Sequence, residues 1–196
     1  MARYKKTRYL FMIFLTALTA CKKFVQIPPP PTSITGATTY SNNTSAAAVM
    51  TGVYDQIMSN TAGLADGSQS IGFLEGMAAD ELKNYTTNTP EYAQFYTNSL
   101  QSSSAGASNV YFWGLLYNQI YVCNAVITGL NTYTGVTPAM KQQLIGEAEF
   151  MRAYLHFYAT NLYGAVPIVT TINYQANTSV SRSPQALLAI QHDLEL

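Results

Sequence analysis

The stretch Gly146-Glu147-Ala148-Glu149-Phe150-Met151-Arg152-Ala153-Tyr154-Leu155-His156-Phe157, followed by Leu162-Tyr163-Gly164-Ala165-Val166-Pro167, decides how the chain folds. Around it, Leu144, Ala148, Met151, Leu155, Tyr158 and Leu162 recur at alternating intervals of four and three, which is the period of one helical face. Pro138 stands at the first turn, where its missing N–H costs nothing, and Gly164 is the C-cap candidate. Upstream, Trp113, Leu116, Tyr117, Ile120, Asn124 and Ile127 line a second stripe that runs to Gly129. The linker between them, residues 131–137, is too short for anything but antiparallel packing, so the two stripes predict a helical hairpin.

Further out the signals weaken. From Thr44, with Thr44 or Ser45 as N-cap, the residues Ala47, Met50, Tyr54, Ile57 and Met58 keep helical spacing until the interval from Gly63 to Gly72. Asp80 to Asn109 is rich in Thr, Asn, Ser and Tyr without sustained period, which predicts a long surface excursion with one helical turn near Glu91 to Tyr96. Loops of this length in a compact domain tend to be functional. Val166 to Val169 predicts a brief extended segment broken by Pro167. A last helix starts at Ser183-Pro184, with Leu187, Ile190 and Leu194 on one face. The chain stops inside that helix, so a truncated sequence is expected. The fold class is all-α.

The N-terminus predicts an address. Arg3, Lys5, Lys6 and Arg8 precede an apolar run from Tyr9 to Ala20 and then Cys21. Twelve residues as helix reach only ~18 Å, short of the ~30 Å of a bilayer core, so residues 1–20 are expected to be a removable signal and not a span. Leu18-Thr19-Ala20-Cys21 resembles the bacterial lipoprotein box, which makes Cys21 the expected lipidation site. Residues 21–43 then form a tether, stiffened by Pro28 to Pro31 as an extended polyproline segment. Lipidation of Cys21 leaves Cys123 with no disulfide partner, as a small buried apolar side chain.

Composition excludes several functions. Four of the ten basic residues precede residue 9, which leaves six against ten acidic side chains beyond the signal and a formal charge of −4. Six scattered cations make no phosphate-neutralising surface, so nucleic acid is set aside. His156 and His192 are the only imidazoles, and no zinc-binding, nucleophile-elbow or phosphate-loop motif occurs, so neither a metal, a cofactor nor an enzymatic function is expected. Glu147 and Glu149 lie two apart on a helix and point in different directions, unlike an acid/base pair. Glu149, Arg152 and His156 share a face, which fits a surface or helix-packing network better than catalysis.

Aromatic residues concentrate between Tyr85 and Tyr117: eight of the 20 beyond the signal fall within 33 residues. That is about twice an even distribution. Sugar rings stack their C–H faces on aromatic faces while amides and hydroxyls bond their rims, and Asn84, Asn88, Gln94 and Asn98 are at hand. Trp113 and Tyr117 belong to a core-facing stripe. Tyr85, Tyr92 and Tyr96 fall in the irregular stretch, where ligand contact and simple loop packing stand as alternatives.

The hallmark stretch resembles the SusD/RagB family of outer-membrane nutrient-binding lipoproteins of Bacteroidetes, in its Gly-Glu-Ala, Arg-Ala-Tyr, Leu-Tyr-Gly and Val-Pro elements. The match extends to Trp113, Tyr117, Ile120, Asn124 and Ile127, to Ala48, Thr51, Gly52 and Tyr54, to Arg182-Ser183-Pro184 and to the Cys21 box. The resemblance implies a SusD-like all-α fold of tetratricopeptide-like helical hairpins with long irregular loops, its N-terminal helical domain occupying 44–196. It further implies a non-catalytic glycan binder that serves a TonB-dependent, SusC-like transporter, held at the outer membrane by its lipid anchor alone and displayed at the cell surface. Peptide binding, as in some branches, a protein-binding adaptor, and an enzyme with catalytic residues beyond Leu196 are the rivals. Gly146, Glu147, Arg152, Gly164 and Pro167 match as scaffold residues. Surface-displayed members often carry acidic residues after the modified Cys, where this chain has Lys22-Lys23-Phe24. Replacing Cys21 by Ala should release the protein from the membrane fraction after signal removal, read by fractionation, because multiple acyl chains supply the stable attachment; retention in the membrane would exclude a lipid anchor.

Overall fold

The computed structural model describes residues 35–59, 64–86, 88–103, 106, 109–183 and 186–194, so the expected signal, Cys21 and the Pro-rich part of the tether lie outside the described residues. The helical hairpin predicted from the two stripes is its centre: α5 (Gly114–Thr132) and α6 (Pro138–Tyr163) share the most extensive interface between elements. Leu116, Ile120, Cys123 and Val126 of α5 meet Leu144, Ala148, Met151 and Leu155 of α6 in one buried cluster. Gly164 ends α6 at φ +72, with its N–H on the Thr160 carbonyl at 2.8 Å. A π-helical turn, Asn109–Trp113, leads into α5.

Helix α5 does not stop at Gly129. It continues to Thr132, and Gly129 is there because the Tyr40 ring lies against it; a Cβ at that position would run into the ring. Tyr40 follows the short helix α1 (Gly36–Thr39), stacks on Tyr133 at 6.0 Å and donates its hydroxyl to the Ala125 carbonyl at 3.2 Å. The chain is thus packed from α1 onward, within the interval 21–43 read as tether.

Helix α2 (Asn43–Met58) is capped two or three residues earlier than expected, by Asn42, whose Oδ1 accepts from Ser45 N–H at 3.0 Å. Its buried stripe is Ala46, Met50, Val53 and Ile57, while Tyr54 and Met58 are exposed. The run Ala46-Ala47-Ala48 carries no phase information, so the sequence alone placed the stripe one residue off. Asn43 clips α2 to the start of α6 by a reciprocal pair, donating to Thr137 Oγ1 at 3.1 Å and accepting from Thr137 N–H at 2.9 Å.

Two short helices occupy the middle of the chain. Helix α3 (Ile71–Ala78), capped by Ser70, was not foreseen, and it buries Leu74 and Met77. Helix α4 (Pro90–Tyr96) is the turn expected near Glu91, and it buries Phe95 against Phe112. The excursion is therefore partly helical and anchored at both ends.

After α6, β1 (Val166–Pro167) pairs antiparallel with β2 (Arg182–Ser183), and helix α7 (Tyr174–Asn177) lies in the connection. Helix α8 (Ala186–Leu194) packs along α6. Ile190 is buried as expected, but Leu194 is exposed and Asp193 takes the buried position beside it. Ile190 and Leu194 do share the wall that faces α6, but the deepest contact beside them is made by a carboxylate, not by an apolar group. Among the described residues the architecture is all-α apart from this small ribbon. Leu155 is fully buried between α5 and α6, so Leu155→Ala should cost about 2 to 5 kcal/mol in a urea titration; a change under about half a kcal/mol would mean that this face does not carry the core.

Candidate functional site

Two polar side chains of α6, Arg152 and His156, turn inward and join a buried polar network. Arg152, 7% exposed, gives Nε and Nη2 to Asp193 Oδ2 and Oδ1 at 2.8 and 2.7 Å, a two-pronged pair, and Nη1 to Asn124 Oδ1 at 2.8 Å. Asn124 turns its amide nitrogen to the Val169 carbonyl at 3.0 Å and the Thr171 carbonyl at 3.5 Å. His156 receives the Val169 N–H on Nε2 at 3.3 Å, so Nε2 is unprotonated and the proton sits on Nδ1, which donates to the Arg152 carbonyl at 3.0 Å. Burial, reinforced by the Arg152 charge, pushes the His156 imidazolium down to about 4. Glu149, read on the same face, is only half-buried; burial raises its carboxyl above the usual range and Arg152 opposes that. Glu147 faces α2 instead, accepting from the Tyr54 hydroxyl at 3.2 Å and from Gln143 at 2.8 Å.

No side chain of this network reaches a substrate-accessible cleft: His156 is 2% exposed. Cys123 is equally enclosed, and burial drives its thiol up to about 12, which removes it as a nucleophile. Among the described residues no three His, Cys, Asp or Glu gather as a metal site, and no helix is long and apolar enough to cross a membrane. A groove of about 150 Å³ between α6 and α8 is walled by Phe150, Ala153, Tyr154, Phe157, Ile190 and Leu194. These apolar walls suit an apolar side chain and offer a sugar hydroxyl no partner.

The excursion is the contrasting surface. Helix α3 before it and helix α4 within it close with the same device: the N–H of Glu81 bonds the Gly76 carbonyl at 2.9 Å around Asp80 at φ +61, and the N–H of Ser99 bonds the Gln94 carbonyl at 2.9 Å around Asn98 at φ +51. Asp and Asn are the non-glycine residues that tolerate this left-handed position best. Asn98 also donates its side-chain amide to the Ala78 carbonyl at 3.1 Å, tying the end of α4 to the end of α3. The interval 81–89 is held between these closures.

Of the three tyrosines read as ligand-contact candidates, the structure sets one apart. Tyr85 is 83% exposed on that interval, beside an Asn84 side chain that accepts the Thr86 N–H at 2.8 Å, and with Lys83 Nζ 5.5 Å from its ring centre. Tyr92 is half-buried and set between Phe73, edge-on at 5.8 Å, and Tyr111 at 6.3 Å. Tyr96 is half-buried against the core. Trp113 packs at 4.6 Å from Tyr117 and 5.0 Å from Tyr163, with the Arg182 guanidinium 5.6 Å from its ring, while Tyr117 donates to the Pro167 carbonyl at 2.7 Å. Both belong to the scaffold. Sequence reading missed the partners of Arg152, since Asp193 lies 41 residues away and Asn124 looked like one more member of an apolar stripe.

A profile of the SusD-like family, described as "Starch-binding associating with outer membrane", matches residues 39–196, the whole span built around the α5–α6 hairpin. The chain belongs to this family, whose description ties it to starch binding and to the outer membrane. None of the curated proteins compared matches the chain.

The lowered His156 value has a direct consequence. Between about 4 and the unfolded value near 6.5 the unfolded chain binds the extra proton, so stability from this group is complete above pH 6.5 and drains away as pH falls towards 4. The total is on the order of 3 kcal/mol. His156→Gln, which does not titrate, should flatten the decline between pH 6.5 and 4 in urea titrations; an unchanged slope would show that the imidazole is already protonated in the fold.

Proposed function

We propose that this chain is a non-catalytic saccharide-binding lipoprotein of the outer membrane, which captures oligo- or polysaccharide and passes it to a TonB-dependent, SusC-like transporter. The observation that carries the reading is the family match across 39–196. In this reading residues 1–20 are the signal, Cys21 carries the lipid, the segment from there to α1 is the tether, and the packed chain from α1 onward is the binding scaffold at the cell surface.

The division of labour on the chain supports it. The ionisable residues of the hallmark helix that lie deepest, Arg152 and His156, are spent on buried contacts, while aromatic and amide groups of the excursion face solvent. Tyr85 is the leading contact: an open aromatic face flanked by Asn84 and Thr86 offers stacking to a pyranose and hydrogen-bonding groups to its rim. Tyr92 and Tyr96 complete the surface from beneath, each with one side packed on the protein.

Calorimetry of the full chain against soluble starch and a panel of other neutral polysaccharides should give binding to at least one. Tyr85→Ala should then weaken that binding roughly two- to tenfold with the melting temperature unchanged, as loss of one exposed aromatic contact implies. Alanine at Tyr92 or Tyr96 should lower the melting temperature as well. Absence of binding to every polysaccharide, with binding to a peptide mixture instead, would replace the glycan reading by the peptide one.

A further inference from the structure

The buried network has a second product besides joining helices: through Val169, the last core residue of the segment, it fixes the backbone that leads out to an exposed loop. Val169 is held on both sides, its N–H by His156 Nε2 at 3.3 Å and its carbonyl by Asn124 at 3.0 Å. The Thr171 carbonyl takes Asn177 Nδ2 at 2.8 Å and also lies 3.5 Å from Asn124. From there the chain closes on itself. Thr171 Oγ1 donates to Asn177 Oδ1 at 2.9 Å, Asn173 caps α7 by accepting the Ala176 N–H at 3.2 Å, and β2 returns the strand to β1. Residues 170–181 are thus a closed loop whose root is gripped by side chains from α5 and α6.

What that loop presents is unusual for a structural connection. Tyr174 is 75% exposed and Ile172 39% exposed, so the largest side chains of the loop do not cover the scaffold. The twelve residues from Thr170 to Ser181 contain no charged group at all. Thr170 and Gln175 of the same loop are exposed too. A rigid, uncharged loop that holds one flat amphipathic ring in water, with hydroxyl and amide neighbours, matches the surface of a neutral sugar: C–H face to ring, hydroxyls to rim. Within the loop a charged ligand finds nothing to pair with, and the neighbouring Arg182 is turned to the Ala165 carbonyl and the Trp113 ring.

We propose that the 170–181 loop is a second saccharide-contact surface, with Tyr174 as its stacking residue, selective for uncharged glycan. This rests on the reading of the chain as a saccharide binder and adds a site separate in sequence from Tyr85. Asn124 and His156 act in it as positioning residues, through the backbone of residues 169–171.

The test uses the full chain with soluble starch as the neutral probe and polygalacturonate as the charged one, by calorimetry and thermal melting. Tyr174→Ala should weaken starch binding roughly two- to tenfold at an unchanged melting temperature, Tyr174→Phe should restore it, and polygalacturonate should bind more weakly than starch. Unaltered starch affinity in Tyr174→Ala, while Tyr85→Ala loses it, would overturn the second surface and leave the proposed function intact. Loss of co-purification with an outer-membrane protein at unaltered starch affinity would also overturn it, in favour of a protein interface. A melting temperature lowered by several degrees would make Tyr174 a packing residue and overturn it too. Binding of no neutral glycan by the unmodified chain would remove both this proposal and the function on which it rests.

Discussion

A guanidinium taken out of water is the constraint around which this protein is arranged. Arg152 sits at the middle of α6, and the cost of burying its charge is offset only because three of its nitrogens find oxygen acceptors at 2.7 to 2.8 Å. Those acceptors come from different parts of the chain: Asp193 from α8 and Asn124 from α5. Because removing one partner of such a buried pair costs roughly 3 to 5 kcal/mol, α8 cannot leave α6 cheaply. The carboxylate beside the apolar stripe of α8 is what fastens it. Asn124 then passes the constraint on through its second functional group, to the carbonyls beyond β1.

The same logic explains the hallmark residues of the helix without reference to any ligand. Glu147 reaches α2 through Tyr54, His156 reaches the Val169 backbone, and Gly164 ends the helix where the chain must turn into β1. Each joins α6 to a different neighbour. The hallmark residues are thus accounted for by the frame, and the exposed loops around it make no comparable demand on them.

What the sequence made legible follows from what periodicity can encode. The α5–α6 hairpin could be read because long amphipathic stripes declare both type and phase. Helix α3 could not: eight residues with Gly72 and Gly76 inside them are too short and too poor in helix formers to stand out, and tertiary burial of Leu74 and Met77 supplies what propensity lacks. The phase of α2 slipped because three successive alanines look alike from every side. Gly129 read as a terminator when it is a contact, since a glycine required by the ring of a residue 89 positions earlier carries no local mark. Among the candidate contacts, Tyr85, Tyr92 and Tyr96 were indistinguishable by composition. Only the helix at Pro90–Tyr96 separates the exposed ring from the two that lean on the core.

The paired closures at the ends of α3 and α4 also bear on how such a protein can change. Main-chain bonds around Asp80 and Asn98, with one amide bridge between the helix ends, hold the base of the interval, whereas Leu82 and Tyr85 within it are 40% and 83% exposed. Substitutions in residues 83–89 therefore draw little on the stability of the hairpin. Variation there is nearly free of folding consequences, so the surface chemistry of this interval can be rewritten residue by residue while the frame below is held by contacts of its own.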